Sequence, residues 1–153
     1  MLDLIEGAKV VVGKVSTGGS IAAGSGDFIS MKNMHRIWAI ATFSGTSGPV
    51  MNTEVAESYA GASASSEEAA SIWTCKDSTT LDRWTKSTAL GTATFDDTND
   101  GAIAFCFDPT VADSSDSYFS LAHTSGVGAL HITYIGEPRY GGYQQFIATT
   151  SST

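Results

Sequence analysis

The sequence predicts an all-β fold: a β-sandwich or jelly-roll-like barrel of about eight to ten short antiparallel strands, with at most one or two short helical turns. Short runs of β-branched and aromatic residues alternate in character at every second position. Clusters of Gly, Ser, Thr and Asn separate those runs at intervals that suit strands and turns. Charged residues make up only 16% of the chain, against about a quarter in ordinary domains, so the Lys- and Glu-rich surfaces of exposed helices are missing.

Taken in order, GAKVVVGKV at 7–15 joins β-branched residues to flanking glycines and reads as a first strand. STGGSIAAGSG at 16–26 has no period and reads as a loop. DFISMKN at 27–33 alternates as a half-buried or edge strand. In RIWAIATFS at 36–44 both faces are apolar, Ile37, Ala39, Ala41 and Phe43 against Trp38, Ile40 and Thr42, which predicts a central strand covered on both sides. VMNTEVAESYA at 50–60 has mixed faces and reads as a half-exposed strand. SSEEAAS at 65–71 spaces Ser65 and Glu68 as a capping box, predicting one or two helical turns. SIWTCK at 71–76 is a strand, and a further helical turn is expected around Trp84. GAIAFCF at 101–107 is the clearest strand, with large Ile103, Phe105 and Phe107 on one face and small Ala102, Ala104 and Cys106 on the other. That contrast predicts a core on one side and another backbone close behind. SYFSLAH at 117–123 and LHITYIGE at 130–137 are strands on either side of the turn TSGVG, and an extended tail follows.

At 153 residues, the chain is read as one β domain, 1–153, with extended N-terminal and C-terminal arms available to neighbours. Sixteen acidic residues against eight basic ones leave a net charge of -8, which argues against direct contact with nucleic acid, where clustered Lys and Arg carry the binding. The apolar runs are too short to span a bilayer, and the opening MLDLIE is broken by charge. A soluble chain folded in a reducing compartment is therefore expected, without membrane contact. Cys75 and Cys106 lie among aromatic and aliphatic residues and read as buried thiols rather than as a disulfide or metal pair.

The motifs that carry chemistry fall short of their requirements. The acidic turn Asp96–Gly101 begins like a calcium loop, but its twelfth place is Phe107 instead of a bidentate Glu. It reads as a turn leading into a strand. His35, His123 and His131 lack metal-ligand spacing, although His123 and His131 would approach one another if their strands paired across TSGVG. Trp38, Trp73, Trp84, Tyr134, Tyr140 and Tyr143 are candidates for a carbohydrate groove, with core packing the competing use. No catalytic, cofactor-binding or metal-binding residue is assigned, no cofactor is expected, and the chain is expected not to be an enzyme.

EGAKVV at 6–11, GDFISMKN at 26–33, AASIWTCKDSTTLD at 69–82, GAIAFCFDPTVAD at 101–113, YFSLAHTSG at 118–126 and ITYIGEPRYGG at 132–142 occur in this order across most of the chain. Together they resemble a family of small virion structural proteins of tailed bacteriophages. The resemblance implies a capsid decoration, or cement, protein that binds the major capsid protein on the outer capsid surface and stabilises capsomer contacts. It also implies self-association as a trimer or dimer, synthesis in the host bacterial cytoplasm, and no catalytic residues. An acidic chain is repelled by packaged DNA, which fits an outward position. A tail-tube or neck subunit of the same virion is the alternative, followed by a carbohydrate- or host-binding sandwich.

Overall fold

The computed structural model describes residues 8–76, 83–95 and 101–139. Among these are twelve strands and no helix. In chain order they are β1 (Lys9–Ile21), β2 (Gly24–Ser25), β3 (Ile29–Ser30), β4 (Met34–Ser47), β5 (Val50–Ala56), β6 (Ser65–Glu67), β7 (Ser71–Lys76), β8 (Thr85–Lys86), β9 (Thr92–Thr94), β10 (Gly101–Phe107), β11 (Tyr118–His123) and β12 (Gly126–Pro138).

They form two antiparallel sheets stacked as a sandwich, not closed into a barrel. Sheet A runs β1-β12-β4-β10-β7-β8, and sheet B runs β2-β11-β5-β6, with β3 on β11 and β9 on β5. The period-two alternation read from the sequence divides each long strand of sheet A into a core face and an outer face. Ile37, Ala39, Ala41 and Phe43 of β4, Ile103, Phe105 and Phe107 of β10, and Leu130, Ile132 and Tyr134 of β12 are buried against Met51, Val55, Phe119 and Leu121 of sheet B. Phe107 stacks on Phe119 across the sandwich at 4.9 Å between ring centroids, and Phe119 meets Tyr134 edge-on at 5.9 Å.

Tyr134 also repairs a gap in sheet B. β11 pairs with β2 through Ala122 and His123, and with β3 through Tyr118 and Phe119, leaving Ser120 and Leu121 between the two short partners. The Leu121 N–H donates to the Tyr134 hydroxyl at 3.2 Å, its carbonyl accepts from the Gly26 N–H at 2.8 Å, and the Ser120 hydroxyl donates to the Gly26 carbonyl at 2.9 Å. A phenol from sheet A thus supplies the acceptor that a missing strand residue would have provided, and the buried polar groups of the break are satisfied. Burial pushes the Tyr134 phenol above its ordinary value of 10.0, while the Ser120 and Leu121 contacts pull the other way.

Several sequence expectations are corrected. The stretch 16–26 is not all loop: β1 continues to Ile21, pairing Ser16 with Leu130 and Ile21 with Gly126. Gly18 (φ 117°) and Gly19 (φ 88°) occupy a bulge between Thr17 and Ser20, where left-handed backbone is open to glycine. Buried Ile21 anchors the far end, and a partner strand of equal length holds the glycine-rich segment extended. The capping-box segment is a strand, since Ser65–Glu67 pairs with Thr53–Val55 and the Thr53 hydroxyl donates to the Glu67 carbonyl. So short a segment cannot offset the cost of helix nucleation, whereas a free sheet edge gives its backbone groups ready partners. The turn of helix expected near Trp84 falls partly outside the described residues, and Thr85–Lys86 pairs with β7 as strand. The strand expected at 50–60 ends at Ala56; a turn with Gly61 (φ 76°) and Ser63 (φ 54°) follows. β4 is central, as expected, but among the described residues only one of its faces is covered by the other sheet.

Candidate interaction surface

The uncovered face of β4 belongs to a continuous outer surface of sheet A. Cross-strand registers carry the same outward parity over the sheet, because directly paired residues share a face. Trp38 pairs with Ile135 of β12 and Cys106 of β10, Ile40 pairs with Thr133 and Ala104, and Ala104 pairs in turn with Trp73 of β7. On the edge strand, Val10 faces Ile135 and Val12 faces Thr133. A bulge between Val12 and Lys14 turns Lys14 toward the core and brings Val15 out. Val10, Val12 and Val15 are 46%, 55% and 60% exposed, and Trp84, just before β8, is 43% exposed. Trp38, Ile40, Trp73, Cys75 and Ile135 are half-buried. Broad apolar surface of this kind marks contact sites on folded chains.

The small residues of β10 have a different explanation from the one expected. Among the described residues, no further strand packs behind them. Ala104 and Cys106 are almost fully buried by the large side chains of the flanking strands, Trp38 and Ile40 on one side and Trp73 on the other. The aromatic and aliphatic ridges on β4 and β7 therefore close over β10 between them. Polar contacts hold the ridges in place. The Trp38 indole N–H donates to Glu137 at 3.0 Å, and the Lys86 ammonium lies 5.9 Å from the centre of the Trp73 ring.

The other sequence candidates scatter. His123 is buried on the core face of sheet B and His131 is exposed on the outer face of sheet A; of the expected turn TSGVG only Thr124 and Ser125 connect the strands, Gly126–Gly128 belonging to β12, and the connection joins the two sheets without forming a hairpin. The two imidazoles are not brought together. His123 instead accepts from the inward-turned Lys14 ammonium at 2.7 Å through Nε2, while its Nδ1–H donates to the Thr124 carbonyl at 3.0 Å. The β1 bulge creates this contact; no periodicity argument would have placed Lys14 there. Asp96–Asp100 lie outside the described residues, and Gly101–Phe107 is strand. Among the described residues, no group of three or more His, Cys, Asp and Glu side chains is arranged to hold a metal ion. Cys106 is buried and Cys75 half-buried, both as free thiols on the outer side of sheet A. Of the aromatic candidates, Tyr134 is core, Trp38, Trp73 and Trp84 lie on or beside the outer face of sheet A, and Tyr140 and Tyr143 are outside the described residues. An open cleft of about 400 Å³ between Ser25–Phe28 and Tyr59–Ala64 carries one carboxylate, Asp27, and the exposed Tyr59 ring.

Burial pushes the His123 imidazole below its ordinary value of 6.5; the Thr124 hydrogen bond opposes this, and the Lys14 charge adds to it. The unfolded chain thus binds more protons than the folded one below pH 6.5, so His123 supports folding fully above that pH and less as pH falls through the folded-state value. Melting temperature is expected to drop on acidification from pH 7 toward 5, and His123→Gln is expected to flatten that part of the profile. Equal slopes in the two proteins would assign the acid sensitivity to other groups.

No protein-family profile matches the sequence, and no curated protein matches it. Among solved structures, the chain is similar to the crystal structure of SPBc2 prophage-derived protein YomS, at 10% sequence identity and a TM-score of 0.49, over 84% of this chain and 91% of that one.

Proposed function

We propose that this chain is a non-enzymatic structural subunit of a phage particle, seated on the outer capsid surface, where it binds the major capsid protein and stabilises capsomer contacts. The observation that carries the reading is the outer face of sheet A, a broad apolar surface with half-buried tryptophans, backed by a rigid two-sheet core. Such a face is suited to holding a neighbour, because flat sheets bury area without rearranging and aromatic anchors concentrate the binding energy. The ordered strand and turn motifs that resemble virion structural proteins support the same assignment. Repetition over a symmetric shell would make modest single contacts cumulative. The acidic balance, -8 over the chain, favours a position away from packaged DNA.

Labelled antibody against the chain, applied to intact particles, tests the proposal. Dense label over the head is expected. Label confined to the tail would replace decoration by a tail-tube or neck role, and unlabelled particles would remove the chain from the virion surface altogether.

A further inference from the structure

We propose that the cleft between Ser25–Phe28 and Tyr59–Ala64 binds an arginine side chain of a partner polypeptide, with Asp27 as the acceptor for the guanidinium and the Tyr59 ring as its stacking platform. The cleft, of about 400 Å³, is built on sheet B and not on the sheet A surface, so the inference goes beyond the capsid reading and does not rest on it. Ser25 pairs with Ala122 and Glu54 with Ser120, which places both on the side of sheet B opposite the core residues Leu121 and His123, and the Ser25 hydroxyl donates to the Glu54 carboxylate at 2.6 Å. Both walls are preformed. On one, the Gly26 N–H donates to the Leu121 carbonyl and the Asp27 N–H to the Gly13 carbonyl, each at 2.8 Å. On the other, the Gly61 N–H donates to the Ser58 carbonyl at 3.0 Å and the Glu57 N–H to the Ala62 carbonyl at 3.1 Å, closing a tight turn. The walls lie against each other at one end, since a Cβ on Gly61 would come within 2.8 Å of the Phe28 ring.

The lining decides the chemistry of the ligand. The N–H groups of Gly26, Asp27 and Gly61 are already given to carbonyls and the Ser25 hydroxyl to Glu54, so these positions keep no donor for an anion or for the acceptor oxygens of a sugar. What the cleft offers instead is the exposed Asp27 carboxylate, the half-buried Phe28 ring and the Tyr59 ring, 67% exposed, with no Lys, Arg or His among the described residues that line it. Burial is the main push on the Tyr134 phenol, whose hydroxyl lies against Gly26, and the charges of Asp27 and Glu54 both add to it, so two carboxylates bear on the floor of the cleft. A cation is the complementary group. Of the two cationic side chains, geometry selects arginine. An ammonium is strongly hydrated and gains little from one carboxylate at an open site, whereas a guanidinium is weakly hydrated, stacks on a tyrosine face and meets a single carboxylate with two parallel N–H donors. Because the cleft is open, it admits such a side chain while the backbone that carries it stays outside.

Backbone amide chemical shifts of the isotope-labelled full chain, titrated with a blocked Gly-Arg-Gly tripeptide, test the inference. Saturable shifts are expected on both walls, at Gly26, Asp27 and Phe28 and at Tyr59, Ala60 and Gly61, with affinity falling as salt is raised. Asp27→Asn keeps the backbone bond to Gly13 and is expected to weaken binding at least about tenfold, the loss of a charge-assisted hydrogen-bonded pair. Tyr59→Ala, at a position exposed enough to leave folding intact, is expected to weaken it about threefold. Gly-Lys-Gly should bind more weakly, and methyl glucoside and Gly-Glu-Gly should leave both walls unshifted. The absence of saturable shifts, tripeptide binding indifferent to Asp27→Asn, or an equal response to methyl glucoside would overturn the inference. Methylguanidinium binding as tightly as the tripeptide would also overturn it, by making the cleft a site for a free small cation and not for a side chain of a partner. None of these outcomes depends on where the chain sits in a particle, so loss of the arginine site leaves the capsid role standing, and particles without the chain leave the arginine site standing.

Discussion

Phe107→Ala is expected to lower the stability of the folded chain by about 3–5 kcal/mol, the range for truncating a fully buried aromatic. Phe107 has no exposed surface, and its ring is the sheet A half of the stacked pair that joins the two layers at 4.9 Å. Removing it strips Phe119 of one neighbour while Tyr134 holds Phe119 edge-on from the other side, so the cavity has little freedom to collapse. For a chain of this size, the loss corresponds to a fall in melting temperature of roughly 10 °C. Urea unfolding of Phe107→Ala beside Val111→Ala, an exposed control, checks the magnitude. A cost near 1 kcal/mol would mean that the sheets can close over the missing ring.

The second large effect is expected at a glycine. Gly13 is the extra residue of the β1 bulge, and a Cβ there would collide with the Cε2 edge of the Tyr134 ring. Its carbonyl also accepts from the Asp27 N–H at 2.8 Å, which ties the edge of sheet A to the β2–β3 connection. A ring displaced by Gly13→Ala would leave the hydroxyl out of reach of the Leu121 N–H and strand that buried donor. Overpacking and the lost hydrogen bond together are expected to cost about 3 kcal/mol. Coupling distinguishes this mechanism from simple backbone strain. In a double-mutant cycle, Gly13→Ala combined with Tyr134→Leu should cost clearly less than the sum of the two single changes. Strict additivity would show that the ring is not what the new methyl meets.

The strands with strong alternation were legible because a half-buried strand must show side chains of opposite character at successive positions. GAIAFCF, RIWAIATFS and SIWTCK each lie within or on a strand of the structure, and their large residues at 37, 43, 72, 103, 105 and 107 are core. Segments whose state depends on a distant partner were not legible. SSE at 65–67 carries a local helix signal but lies on the edge of β5, and the glycine-rich end of β1 is extended because β12 runs beside it. The candidate surface was visible only in fragments. Two apolar faces on 36–44 signalled a covered strand, and the structure instead leaves one of them as the middle of an open apolar face. His123 and His131 were expected as potential neighbours across a turn, and the turn carries the chain from one sheet to the other.

What the sequence determined by itself is the all-β class and which faces of its best strands are apolar, since period and composition are local properties that follow from strand geometry. Only the tertiary structure decided which sheet each strand joins, that the β1 bulge turns Lys14 inward to His123 and leaves Gly13 beneath Tyr134, and that Trp38, Ile40 and Trp73 share one outer face. These depend on strand order and register, which are set by contacts between residues far apart in the chain and leave no periodic trace in the segments they join.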